Sequence, residues 1–251
     1  MSDFILEACV DSVASALAAD RGGADRIELC GNLVIGGTTP DINLYREIRK
    51  HLQIPARILL RPRFGDFCYD DYEYEILLED IRMFREAGAE GVVVGSLNPD
   101  GTLNERHMEG FRNAAGNMGM TLHRAFDMCM DPYDTFYKAK SIGVDTILTS
   151  GQAPNCVEGQ KLISELVSLA GEEMTILVGA GVSAPVIEKM YGMTKATAYH
   201  MSGKITIDSA MTFRRETVNM GLPGLSEYDI WQTGEENIRN ARQVLNRLQG
   251  R

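Results

Sequence analysis

The sequence lacks long hydrophobic runs and has fewer basic than acidic residues. None of its apolar stretches approaches the roughly 18 residues of a membrane span, and residues 1–4 place no basic segment ahead of an apolar one. We therefore expect neither a signal peptide nor a membrane anchor. Lys and Arg number 25 against 35 Asp and Glu, giving a net charge of -10, which disfavours general binding to nucleic acid or to an anionic membrane.

A disulfide framework is also missing. The cysteines are odd in number and widely scattered, at Cys9, Cys30, Cys68, Cys129 and Cys156. The chain has no C-x-x-C motif, no regularly spaced Met-rich run and no His–Cys cluster, so the sequence shows no standard metal motif. We expect reduced thiols and a cytoplasmic protein.

Short apolar segments alternate with amphipathic stretches along the whole chain, which has 251 residues and 44% hydrophobic content. The apolar segments begin near Phe4, Ile27, Ala56, Gly91, Met120, Val144, Thr175 and Thr197. Eight such βα units predict one α/β domain over residues 1–251, a closed (β/α)8 TIM barrel, with an open doubly wound sheet as the alternative. The segment at about 202–230 is expected to be an irregular loop, covering a substrate or contacting another subunit, and a helix at about 235–248 closes the barrel.

Most of these apolar segments end in ionisable or glycine-rich clusters, which would share one pocket at the C-terminal mouth of a barrel. Alternation places Glu7 and Cys9 on one face of the first strand and Glu28 and Cys30 on one face of the second. Two adjacent carboxylates would need a raised pKa or a cation between them, and Arg61 at the end of the third strand is the expected cation. A buried ion network without chemical function is the alternative interpretation.

Two arginines separated by a proline, Arg61-Pro62-Arg63, follow the third strand. Guanidinium groups bind carboxylates and phosphates well. We therefore predict that Arg61 and Arg63 bind an anion, although one of them could instead pair with a nearby acid such as Asp66.

The fifth strand ends in His123 and Arg124, whose side chains alternate so that only one of them can face the barrel interior. We predict that an inward His123 acts as a general acid or base and that Arg124 anchors a loop through Asp127. A hydrogen-bonded core histidine is the alternative, and His200 at the end of the eighth strand is a further candidate for the mouth. We also expect Arg124, Asp127 and His200 to be among the residues that bind an anionic ligand.

Two short loops late in the chain contain glycine and lead into helices. They hold Ser150 and Gly151 after the sixth strand, and Gly179 and Gly181 after the seventh. Free backbone N–H groups and helix N-termini attract anions, and late βα loops of barrels frequently hold phosphate. These loops favour a phosphorylated or otherwise anionic ligand, although glycine in a tight turn can be purely structural.

Several of these motifs occur together between about Phe4 and Arg214. They are Leu6-Glu7-Ala8-Cys9, Gly23-Ala24-Asp25-Arg26-Ile27-Glu28-Leu29-Cys30, Gly36-Gly37-Thr38-Thr39-Pro40, Arg61-Pro62-Arg63-Phe64-Gly65-Asp66-Phe67-Cys68-Tyr69, His123-Arg124-Ala125-Phe126-Asp127, Leu148-Thr149-Ser150-Gly151-Gln152 and Gly179-Ala180-Gly181-Val182. In combination the chain resembles the CutC family of copper-homeostasis proteins. The resemblance implies a cytoplasmic (β/α)8 barrel, usually a homo-oligomer, that is linked to copper tolerance or trafficking. It implies no known reaction.

Two hypotheses follow. In the first, the protein functions in copper homeostasis and binds Cu(I) through Cys9 and Cys30, because thiolates are ligands that Cu(I) prefers. Cys68 or Cys129 would assist. We take copper homeostasis as the expected cellular role.

In the second hypothesis the barrel is an enzyme that acts on a small anionic metabolite. Glu7 or Glu28 would be the acid or base and His123 a proton-transfer partner. The two arginines after the third strand and the late glycine loops would hold the anion. The Glu, Arg and His residues of the predicted mouth favour this alternative, since such groups are poor Cu(I) ligands.

Overall fold

Eight parallel strands form the centre of the computed structural model, which describes residues 4–215, 217–221 and 224–250. The strands are β1 (Ile5–Val10), β2 (Arg26–Leu29), β3 (Ala56–Leu59), β4 (Gly91–Val94), β5 (Gly119–Leu122), β6 (Thr146–Thr149), β7 (Thr175–Val178) and β8 (Ala198–Met201). Each strand pairs with the next one, and β8 pairs with β1 to close the barrel. The predicted TIM barrel is confirmed, and the open sheet is excluded.

Helices follow the strands and cover the outside of the barrel. They are α1 (Val13–Gly22), α2 (Ile42–His51), α3 (Asp71–Glu86), α4 (Glu105–Ala115), α5 (Pro132–Ile142), α6 (Gln160–Ala170), α7 (Ala184–Thr194) and α8 (Glu235–Leu248). In the described part of the chain, no helix combines the length and hydrophobicity needed to cross a bilayer.

Local sequence signals determine where several helices begin and end. Asp70 and Glu73 form a capping box at the start of α3, each side chain accepting a hydrogen bond from the backbone of the other. At α5, Asp131 caps the first turn ahead of Pro132. The same helix ends at Gly143, whose φ of 93° lies in the left-handed region that glycine adopts without strain.

Among the described residues of the segment at 202–230 there are two strands that the sequence did not predict. Two antiparallel strands, β9 (Lys204–Asp208) and β10 (Asp229–Thr233), form a hairpin after β8. The expectation of an irregular loop was therefore wrong at both ends of the segment. Residues 216, 222 and 223 of that loop, and residues 1–3 and 251 of the predicted domain, lie outside the described residues.

The barrel interior is layered along its axis. At its N-terminal end, Arg57 crosses the floor and donates to Thr121 Oγ1 at 2.5 Å, with Asp145 at 2.7 Å. Gly119 makes room for it, because a Cβ there would lie 2.8 Å from Arg57 Nη2. Above this floor the apolar side chains of Ile5, Leu148, Leu177 and Ala198 pack together. At the C-terminal end of the barrel, the described residues surround a cavity of about 320 Å³.

Candidate functional site

A cavity of about 320 Å³ opens at the C-terminal ends of the strands. Its polar wall consists of Cys9, Glu28, Arg61, His123, Arg124 and His200. These residues come from strand ends that are up to 191 positions apart in the sequence, because Cys9 and His200 belong to the first and the last barrel strand. Barrel enzymes carry their reactive groups at this same end.

Glu7 lies beneath this wall and is completely buried. Strand register places it beside Arg26 on β2 and His200 on β8. Arg26 Nε donates to Glu7 Oε2 at 2.5 Å, and His200 Nδ1 lies 2.8 Å from Glu7 Oε1. Burial alone would raise the pKa of Glu7, but Arg26 and His200 lower it to about 2. Glu7 is therefore a carboxylate at neutral pH.

Arg26 was missing from the sequence-based site, and the assignment of Arg61 as the cation between the two carboxylates was wrong. Arg61 makes no salt bridge among the described residues, whereas Arg26 does. Alternation already placed Arg26 on the inward face of β2, two residues before Glu28. The register that sets Arg26 opposite Glu7 is visible only in the folded sheet.

Glu28 on β2 and Cys9 on β1 line the cavity, and Cys30, directly after β2, is buried beside Cys9. Cys9 Sγ lies 3.8 Å from Glu28 Oε1 and 3.6 Å from Cys30 Sγ. Burial raises the pKa of Glu28 to about 7, with His200 opposing the shift and Glu7 adding to it. The hydrogen bond to Cys30, together with burial, raises the pKa of Cys9, so this thiol is protonated at neutral pH.

His200 links the two carboxylates. Burial would lower the pKa of His200, but Glu28, Cys9 and Glu7 beside it raise the pKa well above its usual value. The imidazole is therefore a cation at neutral pH, held by Glu7 and facing the cavity.

The two residues that follow β5 both line the cavity, His123 as a buried side chain and Arg124 as an exposed one. His123 is 4% exposed, and its Nδ1 accepts a hydrogen bond from the backbone N–H of Ala125 at 3.1 Å. Burial, together with the Arg61 guanidinium, lowers the pKa of His123 to about 3. The ring is neutral, and its Nε2 has no partner among the described residues.

Arg124 forms the loop anchor that the sequence predicted. Its Nε donates to Asp127 Oδ2 at 2.7 Å, and its Nη2 donates to Ser150 Oγ at 2.9 Å. The Asp127 carboxylate also accepts from the backbone N–H groups of Ser150 and Gln152. The N–H of Gly151 donates to Thr149 Oγ1 at 2.8 Å. The N–H groups of the predicted anion cradle at Ser150 and Gly151 are therefore already used by side chains of the protein.

Arg63 lies outside the cavity. Its Nε donates to Glu73 Oε1 at 2.5 Å, and its Nη2 donates to Asp66 Oδ1 at 3.0 Å. Two carboxylates thus neutralise this guanidinium, which corrects the prediction that Arg63 shares an anion with Arg61.

The two glycines after β7 have different surroundings. A Cβ on Gly179 would lie 2.7 Å from Leu148 Cδ1, so this glycine allows the barrel interior to pack. Gly181, with a φ of 80°, lines the cavity together with Ala180 and Val182.

Residues 4–205 match the family profile described as CutC family. The chain belongs to the CutC family. It is 37% identical over 246 residues to a human protein named copper homeostasis protein cutC homolog, which covers 98% of this chain and 90% of the human protein. A family protein CutC from Vibrio campbellii is 38% identical over 244 residues, covering 96% and 98% of the two chains.

A CutC crystal structure from Streptococcus agalactiae has the same fold. It superposes with a TM-score of 0.76 at 28% identity, covering 79% of this chain and 98% of the other. The cavity residues named above all fall within the part of the chain that matches the CutC profile.

Two neighbouring sulfur atoms in this CutC barrel are donors that a soft metal ion prefers. Ligand atoms of Cys9, Glu28 and His200 all lie within 4.8 Å of one another, and Cys30 Sγ adds a second sulfur at 3.6 Å from the first. Paired thiols favour Cu(I). Cys129 lies elsewhere, with its Sγ 3.4 Å from Gln152 Nε2, and Cys68 does not line the cavity.

Proposed function

We propose that this protein takes part in the control of intracellular copper and binds Cu(I) through Cys9 and Cys30. The observation that supports this most directly is the 3.6 Å separation of the two sulfurs, of which Cys9 lines the mouth cavity and Cys30 is buried beside it. The copper homeostasis name of the human relative supports the cellular role.

The neighbouring groups suit the charge changes that thiolate ligation requires. Both thiols are protonated before binding, so coordination must release protons. Glu28, which is 3.8 Å from Cys9 and has a pKa of about 7, is placed to accept one of them. The His200 cation, held by Glu7, compensates part of the negative charge of the thiolate pair.

We place this role in the cytoplasm, where thiols stay reduced. All five cysteines are free, and Cys9 and Cys30 are available only in that state.

We also propose a homo-oligomer. The hairpin and the loop that it encloses expose the apolar side chains of Ile205, Ile207, Met211, Phe213 and Ile230, and a second subunit would cover such a surface. Light scattering coupled to gel filtration should give wild type a mass of more than one chain per particle. The double substitution Phe213→Asp/Ile207→Asp should shift this mass towards that of the monomer.

Anaerobic Cu(I) titration against a coloured chelator tests the copper site. Wild type should withdraw one Cu(I) per chain from the chelator, and Cys9→Ser/Cys30→Ser should withdraw none, because oxygen replaces both soft ligands. Cys129→Ser/Cys156→Ser is the matched control, since it removes two buried thiols that lie away from the cavity. Equally weak binding by wild type and the Cys9/Cys30 variant would overturn the thiol site, provided that both melt cooperatively.

A further inference from the structure

Arg61 is a buried cation that has no carboxylate partner in the part of the chain that the structure describes. The residue is 8% exposed and makes no salt bridge within the described residues. Its Nη1 donates to the Gly37 carbonyl at 3.3 Å and its Nη2 to the Gly65 carbonyl at 2.6 Å, while Nε has no partner. A buried charge is normally paired, because desolvation without a counter-charge is expensive.

The other inward or mouth arginines differ in this respect. Arg26 pairs with Glu7, Arg57 with Asp145 and Arg124 with Asp127. Arg61 instead stacks on Phe67, with its Cζ 5.0 Å from the ring centroid, and lines the cavity. The stacking and the two carbonyl acceptors fix the guanidinium in position without neutralising it.

The cavity wall offers further groups that suit an anion. His123 lines it with a neutral ring whose Nε2 has no partner. The loop of Ala180, Gly181 and Val182 also lines it and leads into α7, whose N-cap residue Ser183 makes no side-chain capping bond. The N-terminus of such a helix favours negative charge. Glu28, the acidic residue in the wall, is engaged with Cys9 instead.

We propose that the mouth cavity contains an anion subsite in which Arg61 pairs with the carboxylate or phosphate group of a small metabolite. The loop at 180–182 and the start of α7 face the same anionic group, and His123 contributes a neutral hydrogen-bonding ring. A cavity of about 320 Å³ is at the small end of ligand pockets, so the ligand is a compact molecule. This subsite shares the cavity with Cys9 but uses Arg61 in place of the thiols, and it does not require copper.

Thermal unfolding of the metal-free protein, with chloride at matched ionic strength as the blank, tests the subsite. The probes are inorganic phosphate and succinate, which distinguish a phosphate ligand from a carboxylate ligand. At least one of them should raise the Tm of wild type in a saturable way. Arg61→Met should weaken the apparent affinity at least about tenfold, since a charge-assisted hydrogen bond is lost.

Arg63→Met is the matched control, because it removes a guanidinium two residues away that already pairs with Glu73 and Asp66. It should keep the wild-type response. The assay contains no copper, which separates this result from the copper test. Where Arg61→Met fails to fold, Arg61→Lys takes its place and should show a weakened response. The absence of a saturable response in wild type, or an undiminished response in the Arg61 variant, would overturn the subsite.

Discussion

Glu7 contacts two cations from within the barrel, Arg26 on β2 and His200 on β8. Neither contact faces solvent, since Glu7 is fully buried. Glu7 therefore acts on the cavity through His200 in its wall, whose positive charge Glu28, Cys9 and Glu7 all favour. Its sequence-based assignment as a direct acid or base stays a prediction, and its position favours a role in orienting His200.

Replacing Glu7 by Gln should lower the free energy of unfolding at pH 7 by about 3 kcal/mol, because it leaves a buried guanidinium without its carboxylate. Urea denaturation followed by circular dichroism measures this. The matched control is Glu173→Gln, which breaks the solvent-exposed pair with Lys140, and screening by water should make its effect small. Similar losses of unfolding free energy in the two variants would contradict a strongly stabilising buried ion pair between Glu7 and Arg26.

At the scale of the strand, glycine at a C-terminal end makes room for a functional side chain from the next strand. A Cβ on Gly95, which directly follows β4, would lie 2.6 Å from Cε1 and 2.7 Å from Nδ1 of His123. The inward position of His123 thus depends on a residue that carries no functional group. Gly192 in α7 has no heavy atom within 4 Å of an added Cβ.

These two glycines should respond in opposite directions to the same change. Gly95→Ala should destabilise the protein by about 1 to 3 kcal/mol, because the methyl group must displace His123. Gly192→Ala should stabilise it by about 0.5 to 1 kcal/mol, through better helix propensity and a less flexible unfolded chain. Thermal unfolding measures the stability of both variants relative to wild type. Destabilisation by both substitutions would show that the space around Gly192 does not accept a methyl group.

Alternation along the strands predicted which side chains face inward, including Glu7, Cys9, Glu28 and Cys30. It could not predict which residue on the next strand stands opposite, because that depends on register between separate segments. For this reason Arg61 was assigned as the cation beside the carboxylates, whereas Arg26 and His200 are the cations that contact Glu7. The partners of Arg63 and Ser150 were missed for a related reason, since Glu73 and Asp127 approach them only after the loops fold.

The β9–β10 hairpin escaped prediction for a different reason. Ile205 and Ile207 alternate with polar residues as in a strand, but β9 is exposed along its whole length. Its partner β10 begins 21 residues after β9 ends, so no tight-turn motif marks the pairing. Sequence patterns identify strands best where one face is buried.

At the scale of the whole molecule, barrel closure joins the first and last strands and brings Glu7 within 2.8 Å of a residue 193 positions away. The ion pair between Glu7 and His200 therefore forms only when the barrel is complete. Groups whose pKa differs between the folded and unfolded chain then make global stability depend on pH.

Two buried groups should have opposite effects between about pH 4.5 and 6.5. The folded pKa of His123 is about 3 against 6.5 in the unfolded chain, so only the unfolded chain gains a proton and stability falls as the pH decreases. The folded pKa of Glu28 is about 7 against 4.5, so the folded chain holds a proton that the unfolded chain has lost. Its contribution to stability is therefore lost as the pH rises from 4.5 to 7.

Replacing each group should expose the effect of the other. Relative to wild type, His123→Asn should make the free energy of unfolding rise on acidification from pH 6.5 to 4.5, since the Glu28 effect is no longer opposed. Glu28→Gln should make it fall over the same interval, and each slope should differ from that of wild type by up to about 1.4 kcal/mol per pH unit. Urea denaturation at closely spaced pH values measures all three slopes, with groups elsewhere, such as His107, contributing equally to each protein. Slopes that change in the same direction in both variants would show that the two groups do not carry these opposite proton affinities in the folded barrel.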